Sequence, residues 1–215
     1  MTTKLALYNQ ALLHIKESPL GTDGLLEIRE SRYYLDTVYP SVFQYILESG
    51  FWKFAMRTVQ IDADAAITPA FGLQNAFNMP EDWVKTYQVS ASPNVETAPP
   101  LEGWIEEGNC LWADITPIYF RYVSNSEDGY GGDLSRWTAK AEFAFATELG
   151  WRIVGKATGM TSSDKTNLEA EKKAALSTAV SSEALREPTR RPTEGRWAGA
   201  RGGSQFRKVP GGYIR

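Results

Sequence analysis

The sequence predicts an α+β protein: an antiparallel helical bundle formed by N- and C-terminal helix pairs, an inserted antiparallel β domain, and an extended C-terminal arm. Three observations carry this expectation. Apolar residues recur at helical spacing over residues 1–50 and again over 133–186. Across residues 51–132 the period shortens, Pro and Gly become frequent, and β-branched or aromatic residues cluster in short runs. Residues 187–215 are rich in Gly, Pro and Arg, with little to fold around. A β insertion with adjacent ends is tolerated between elements of one bundle, so helices separated in sequence can still pack together. At 215 residues, 42% hydrophobic and 12% aromatic, the chain can bury one good core or one core with a smaller appended layer.

Leu5, Tyr8, Leu12 and Ile15 share one face of a first helix expected over Thr3 to Glu17, which "SPLGTDG" then breaks. A second helix is expected after Asp23 as N-cap, with Tyr34, Leu35, Val38, Val42 and Ile46 on one stripe, a kink at Pro40 and an end at Ser49-Gly50. The runs "FAMRTVQI", "VKTYQVS", "GWIEEGNCLWADI" and "PIYFRYVS" read as strands. Gly108-Asn109 is a hairpin turn, since both positions tolerate positive φ. In the last of these strands Ile118, Phe120 and Tyr122 face one way and Tyr119, Arg121 and Val123 the other, giving a half-buried strand. After "SNSEDGYGGD", Asp133 caps a third helix carrying Leu134, Trp137, Ala141, Phe145 and Leu149 as far as about Lys156. "TGMTSSD" reads as a loop, and "KTNLEAEKKAALSTAVSSEAL" as a mostly exposed fourth helix with Leu168, Ala175, Leu176 and Ala179 as its thin apolar stripe.

Several chemistries find no footing. His14, the single histidine, has no carboxylate or cysteine beside it in sequence and no sign of a reactive hydroxyl or thiol, so a structural role is expected. One His and one Cys cannot supply the three or four ligands of a usual zinc site. "SNSEDGYGGDLS" fails as a calcium loop, because Ser135 stands where a bidentate Glu is required. Glu106 and Glu107 point to opposite faces of a strand and cannot form an acid/base pair by themselves, and Glu81 with Asp82 has no more support. No Gly-rich phosphate loop follows a strand. Neither a cofactor, a metal nor an enzymatic activity is expected. Cys110 cannot pair internally, no signal-peptide core forms at the N-terminus, and no stretch reaches membrane-spanning length, so a soluble protein made in a reducing cytoplasm is expected.

Charge is divided unevenly. From Glu183 to Arg215 eight basic residues face three acidic ones, a balance of +5, which leaves 15 basic and 23 acidic residues, a balance of −8, in the remainder. That asymmetry points to an arm seeking a separate acidic or nucleic-acid partner. Among the tryptophans, Trp52, Trp83, Trp104, Trp112, Trp137 and Trp151 lie in periodic segments and read as core or subunit-interface residues, whereas Trp197 stands alone in the arm among glycines and arginines, the composition of an interface anchor.

Three segments carry a family likeness: "YPSVFQYILESGFWKFAMRTVQI" over 39–61, "AFNMPEDWVKTYQVS" over 76–90, and 103–155 from "GWIEEGNCLWADI" to "ELGWRIVG". Together they resemble the head-to-tail adaptors of short-tailed bacteriophages, also called tail tubular protein A or gatekeeper. "FWKFAMR" and "NMPEDW" are the distinctive parts, and "EGRWAGARGG" continues the likeness weakly into the arm. Met79 stands where the family commonly has leucine, a volume-conserving change.

The resemblance implies a structural virion protein, found at the head-to-tail junction and assembled in the host cytoplasm. It would form a dodecameric ring beneath the portal, with helices toward the portal and β structure toward the nozzle. Viral DNA would pass through its channel without sequence-specific binding, and an arm would dock on the portal. The candidate docking residues are Arg190, Arg191, Arg196, Trp197, Arg201, Phe206, Arg207 and Lys208. The candidate core or subunit-packing residues are Trp52, Phe54, Arg57, Trp83, Trp104 and Trp137. Two other classes compete: a nucleic-acid-binding accessory protein using the Arg/Gly-rich tail, and a glycan-cleaving tail enzyme, which would need a close Asp/Glu pair in a cleft.

Overall fold

The computed structural model of the chain describes residues 3–21, 29–68, 72–96, 98–156 and 160–186. They form a mixed α+β fold of four α-helices and two small antiparallel sheets. Helix α1 spans Lys4–His14, with the Thr3 hydroxyl accepting from the Ala6 N–H at its start. It stops short of the expected Glu17 because Lys16 takes a left-handed φ of 60°, and the Glu17 N–H closes back on the Leu12 carbonyl at 2.9 Å. Helix α2 spans Glu30–Ser49 and runs through Pro40, although proline offers no N–H to the preceding turn. Asp23 itself lies outside the described residues, but it is not the cap of this helix: Arg29 holds the cap position with extended backbone and no side-chain cap hydrogen bond, so α2 starts several residues later than expected, and it ends at Ser49 as its Gly50 boundary predicts.

The β region comprises β1 (Met56–Ile61), β2 (Asn75–Asn78), β3 (Trp83–Ser90), β4 (Ile105–Glu107), β5 (Cys110–Ala113) and β6 (Ile118–Ser124). One sheet has the order β1-β6-β3 and the other β2-β5-β4. Gly108 and Asn109 take φ of 63° and 64°, the pair of left-handed residues that a tight hairpin requires between β4 and β5. β2 was not foreseen: "NAFN" is too short and polar to announce itself, and it becomes a strand by pairing with β5.

The first sheet lies between two cores. Ile118, Phe120 and Tyr122 of β6 join Val89, Phe77 and Leu111 in a cluster between the sheets. Val123 points the other way into the larger cluster, where Leu7, Leu12, Leu35, Ile46, Phe145 and Leu149 hold α1, α2 and α3 together. The expected half-buried β6 is therefore buried on both faces at its Val123 end. β3 shows how a strand adjusts to this. Irregularities after Trp83 and Thr86 place Val84, Lys85 and Tyr87 on the helical side and Trp83, Thr86 and Val89 on the side of the second sheet.

The third helix needs correction. Asp133 does cap a turn, accepting from the Ser135 N–H at 3.0 Å, but the turn is a single 3₁₀ step over Leu134–Arg136. The chain extends at Trp137 and Thr138, and α3 then spans Ala139–Ile153 with Thr138 as its own cap. Helix α4 spans Ser162–Leu185 and starts earlier than expected, because Thr161 and Asp164 form a reciprocal capping box inside what reads as a loop. Leu168, Ala175 and Ala179 are buried on α3, while Leu176 is half-buried and Glu183 joins the buried face.

Candidate functional site

The two distinctive motifs of the sequence meet at one place. Within "FWKFAMR", Trp52 is fully buried and donates its indole N–H to the Ile46 carbonyl at 2.7 Å, while Phe54 lies between Trp52 and Trp137 at 5.7 and 5.1 Å. Trp137 donates to the Gly131 carbonyl at 2.8 Å, so each indole has its polar edge satisfied in the core. Gly131 lets this loop close: a Cβ there would collide with the Ser124 carbonyl oxygen. Three of the expected packing residues are thereby brought together. Trp83 and Trp104 belong instead to the margin of the cluster between the sheets.

Arg57 is not a packing residue in the same sense. Its guanidinium donates to Asp82 Oδ2 at 2.7 Å and lies 5.3 Å from the Tyr130 ring centroid. Asp82 also accepts from the Tyr122 hydroxyl at 2.9 Å and from the Ser124 hydroxyl, and its carbonyl accepts from the Asn125 N–H at 2.9 Å. Burial works to raise the Asp82 pKa, but the hydrogen bonds from Ser124, Arg57 and Tyr122, with the charge of Arg57, outweigh it and hold the carboxyl below its ordinary value. Burial and the same carboxylate push the Tyr122 phenol up. Asp82 thus ties β1, β6 and the turn before β3 into one node. The sequence marked it as half of an acidic pair and as part of "NMPEDW", with no partner assigned.

Two further carboxylates emerge only from the fold. Glu183, near the end of α4, is buried and accepts from the Lys53 backbone N–H at 3.0 Å and from Arg186 at 2.8 Å. It fastens the last turn of α4 to the approach to β1, across 130 residues of sequence. Glu148, 2% exposed, accepts from Arg152 at 2.8 Å. Lys172 Nζ stands 3.3 Å from its other oxygen, in range for attraction though not aligned as a hydrogen bond, and also lies 3.3 Å over the Trp151 ring. His14 does have a carboxylate near it once the chain is folded: its Nδ1 is 3.6 Å from Glu171 Oε2, with its ring edge-on to Phe143.

A cleft of about 290 Å³ where α1 ends and α2 begins holds Glu17 and Glu30 with Arg29 and Lys156. A second, of about 370 Å³ between α3 and α4, is lined mainly by apolar atoms of Ala139, Phe143, Ala174 and Ala175. Among the described residues, no three His, Cys, Asp or Glu side chains converge as a metal-binding group, and no helix is long and apolar enough to cross a membrane. Cys110 is a free thiol at the start of β5. The docking candidates Arg190, Arg191, Arg196, Trp197, Arg201, Phe206, Arg207 and Lys208 lie outside the described residues.

No protein-family model matches the chain, and comparison with curated proteins finds no match.

Proposed function

We propose that this chain is a structural, non-enzymatic head-to-tail adaptor of a short-tailed phage. It forms a ring between the portal and the tail nozzle, most simply a dodecamer matched to the portal, and continues the DNA channel. In this reading residues 1–50 and 133–186 form the helical bundle that meets the portal, 51–132 the β insertion toward the nozzle, and 187–215 an extended docking arm. Trp197 is its buried anchor, and its arginines pair with portal carboxylates. The acidic body suits a conduit, because a ring that attracted phosphates would hold the genome back.

The observation that carries the reading is the meeting of the two segments most like the family. "FWKFAMR" and "NMPEDW", more than twenty residues apart in sequence, are joined through the Arg57–Asp82 ion pair at 2.7 Å, beside the aromatic stack of Trp52, Phe54 and Trp137. The most distinctive residues of the resemblance thus form one structural node rather than a scatter of chance matches.

The test is to mix the purified chain with its cognate portal ring and measure complex mass by light scattering, for the full chain and for a form ending at Glu187. A gain near one copy per portal subunit, lost on truncation and weakened by salt, is expected. No gain with either form, together with tail-dependent retention on DNA, replaces this reading with a nucleic-acid-binding accessory role.

A further inference from the structure

Acidic and basic side chains are concentrated on opposite sides of β3. Over residues 58–84 and 97–120, which include every strand of the β2-β5-β4 sheet, the chain holds eight carboxylates and no Lys, Arg or His. One of the eight, Asp82, is matched by Arg57. Among the described residues of this lobe the hairpin of β4 and β5 has the longest exposed run: Glu102, Ile105, Glu106 and Glu107 are all exposed, and β4 is an edge strand of its sheet. Ile105, 55% exposed, sets an apolar side chain among these carboxylates.

The complementary surface lies where α2 gives way to the first sheet. Phe51 and Tyr87 meet edge to face at 5.0 Å. Lys85 Nζ sits 4.4 Å over Phe51, and Lys53 Nζ and the Arg121 guanidinium lie 5.9 and 5.2 Å from Tyr87. Three cations are thus held on two rings in an otherwise acidic body. The patch already takes a carboxylate: Arg121 pairs at 3.4 Å with Glu96, a side chain 76% exposed that a competitor can replace. With cations occupying the ring faces, the patch suits carboxylates better than stacked bases.

These surfaces lie on opposite sides of β3. Lys85 and Tyr87 face the helical side, whereas Thr86 faces the other way and donates to Glu106 at 2.6 Å. A basic patch and an acidic edge placed back to back on one chain make a heterologous contact, which repeats head to tail and closes into a ring when the rotation permits. We infer that the Phe51–Tyr87 cationic patch of one copy receives the acidic β4–β5 hairpin of a second copy, and that this is the contact between ring neighbours. The inference rests on the ring reading and adds the surfaces that the resemblance leaves open.

The test uses the full chain without portal. Copies labelled with heavy nitrogen are mixed with unlabelled copies at high concentration and coupled with a carbodiimide, which joins a lysine ammonium to a neighbouring carboxylate with no spacer. Peptides linking Lys53 or Lys85 to Glu102, Glu106 or Glu107 are expected in mixed-isotope form. Lys85→Glu and Glu107→Lys should each reduce their yield about tenfold, and an equimolar mixture of the two variants should recover part of it, because the intact patch of the Glu107→Lys copy receives the intact hairpin of the Lys85→Glu copy. Glu107 is exposed, so its reversal leaves the fold in place even where Lys85→Glu disturbs the packing on Phe51. Same-isotope links alone, mixed links elsewhere on the chain, or indifference to both reversals would overturn the inference. A mass gain on the portal combined with any of those results retires these surfaces and keeps the adaptor. Mixed links at these residues without portal binding do the reverse.

Discussion

Asp82 joins β1, β6 and the turn before β3, because three side-chain donors from two strands converge on one partly buried carboxylate. Asp82→Asn keeps the shape but removes the charge that Arg57 requires, and should cost about 2 kcal/mol, measured by urea unfolding. The sign of the pH effect follows from the depressed pKa. The node's contribution is complete above the unfolded carboxyl value of about 3.9 and is lost as pH falls through the lower folded value. The wild-type chain should therefore lose stability on acidification more steeply than Asp82→Asn, and parallel acid limbs would refute the role of this charge. Gly131 tests the same region through sterics. Gly131→Ala puts a methyl against the Ser124 carbonyl and should cost about 1–3 kcal/mol, with Trp137 becoming more exposed to fluorescence quenchers.

At the scale of elements, buried carboxylates decide how the helices are anchored. Glu183→Ala leaves the Lys53 amide without its acceptor and should destabilise by about 1–3 kcal/mol, with faster hydrogen exchange at Lys53. Glu183→Gln keeps an oxygen there and should lose less. Lys172→Ala leaves Glu148 buried with Arg152 alone and should cost about 3 kcal/mol, whereas replacing Glu148 and Lys172 together by leucine should cost less, since it leaves no buried carboxylate and the partly exposed Arg152 keeps its charge in water. Equal losses in the single and double variants would show that packing rather than charge sets the α3–α4 contact. These anchors were not legible in the sequence, for a physical reason. Periodicity reports which face of a helix is apolar, so the buried faces of α1 and α2 could be read directly, though neither the end of α1 nor the start of α2 could, and turn residues gave the Gly108-Asn109 hairpin; a carboxylate buried by a partner 130 residues away leaves no local trace. The late start of α3 was hidden because Leu134 and Trp137 keep helical spacing while the chain between them and Ala139 is extended. The early start of α4 was legible in principle, since Thr161 and Asp164 have capping-box spacing, but "TGMTSSD", with Gly159 inside it, reads first as a loop.

On the scale of the whole molecule, the division between a body of −8 and a terminal segment of +5 is what the proposed adaptor role would use to separate folding from docking. Among the described residues, the buried cluster shared by the helices draws on Leu7 to Ala179 and the cluster between the sheets on Phe77 to Tyr122, so residues up to 186 already supply two hydrophobic cores of their own. A chain ending at Glu187 should consequently melt within a few degrees of the full chain, while losing most of its salt-sensitive affinity for the portal. Trp197→Ala in the full chain should separate the two parts of that affinity. It removes the apolar anchor and leaves the arginines, so the salt dependence of what binding remains should persist while its strength falls about tenfold or more. If truncation lowered the melting temperature sharply, the arm would be part of the fold. Its charge would then act within the chain, and the proposal that the +5 segment docks on a portal would fall.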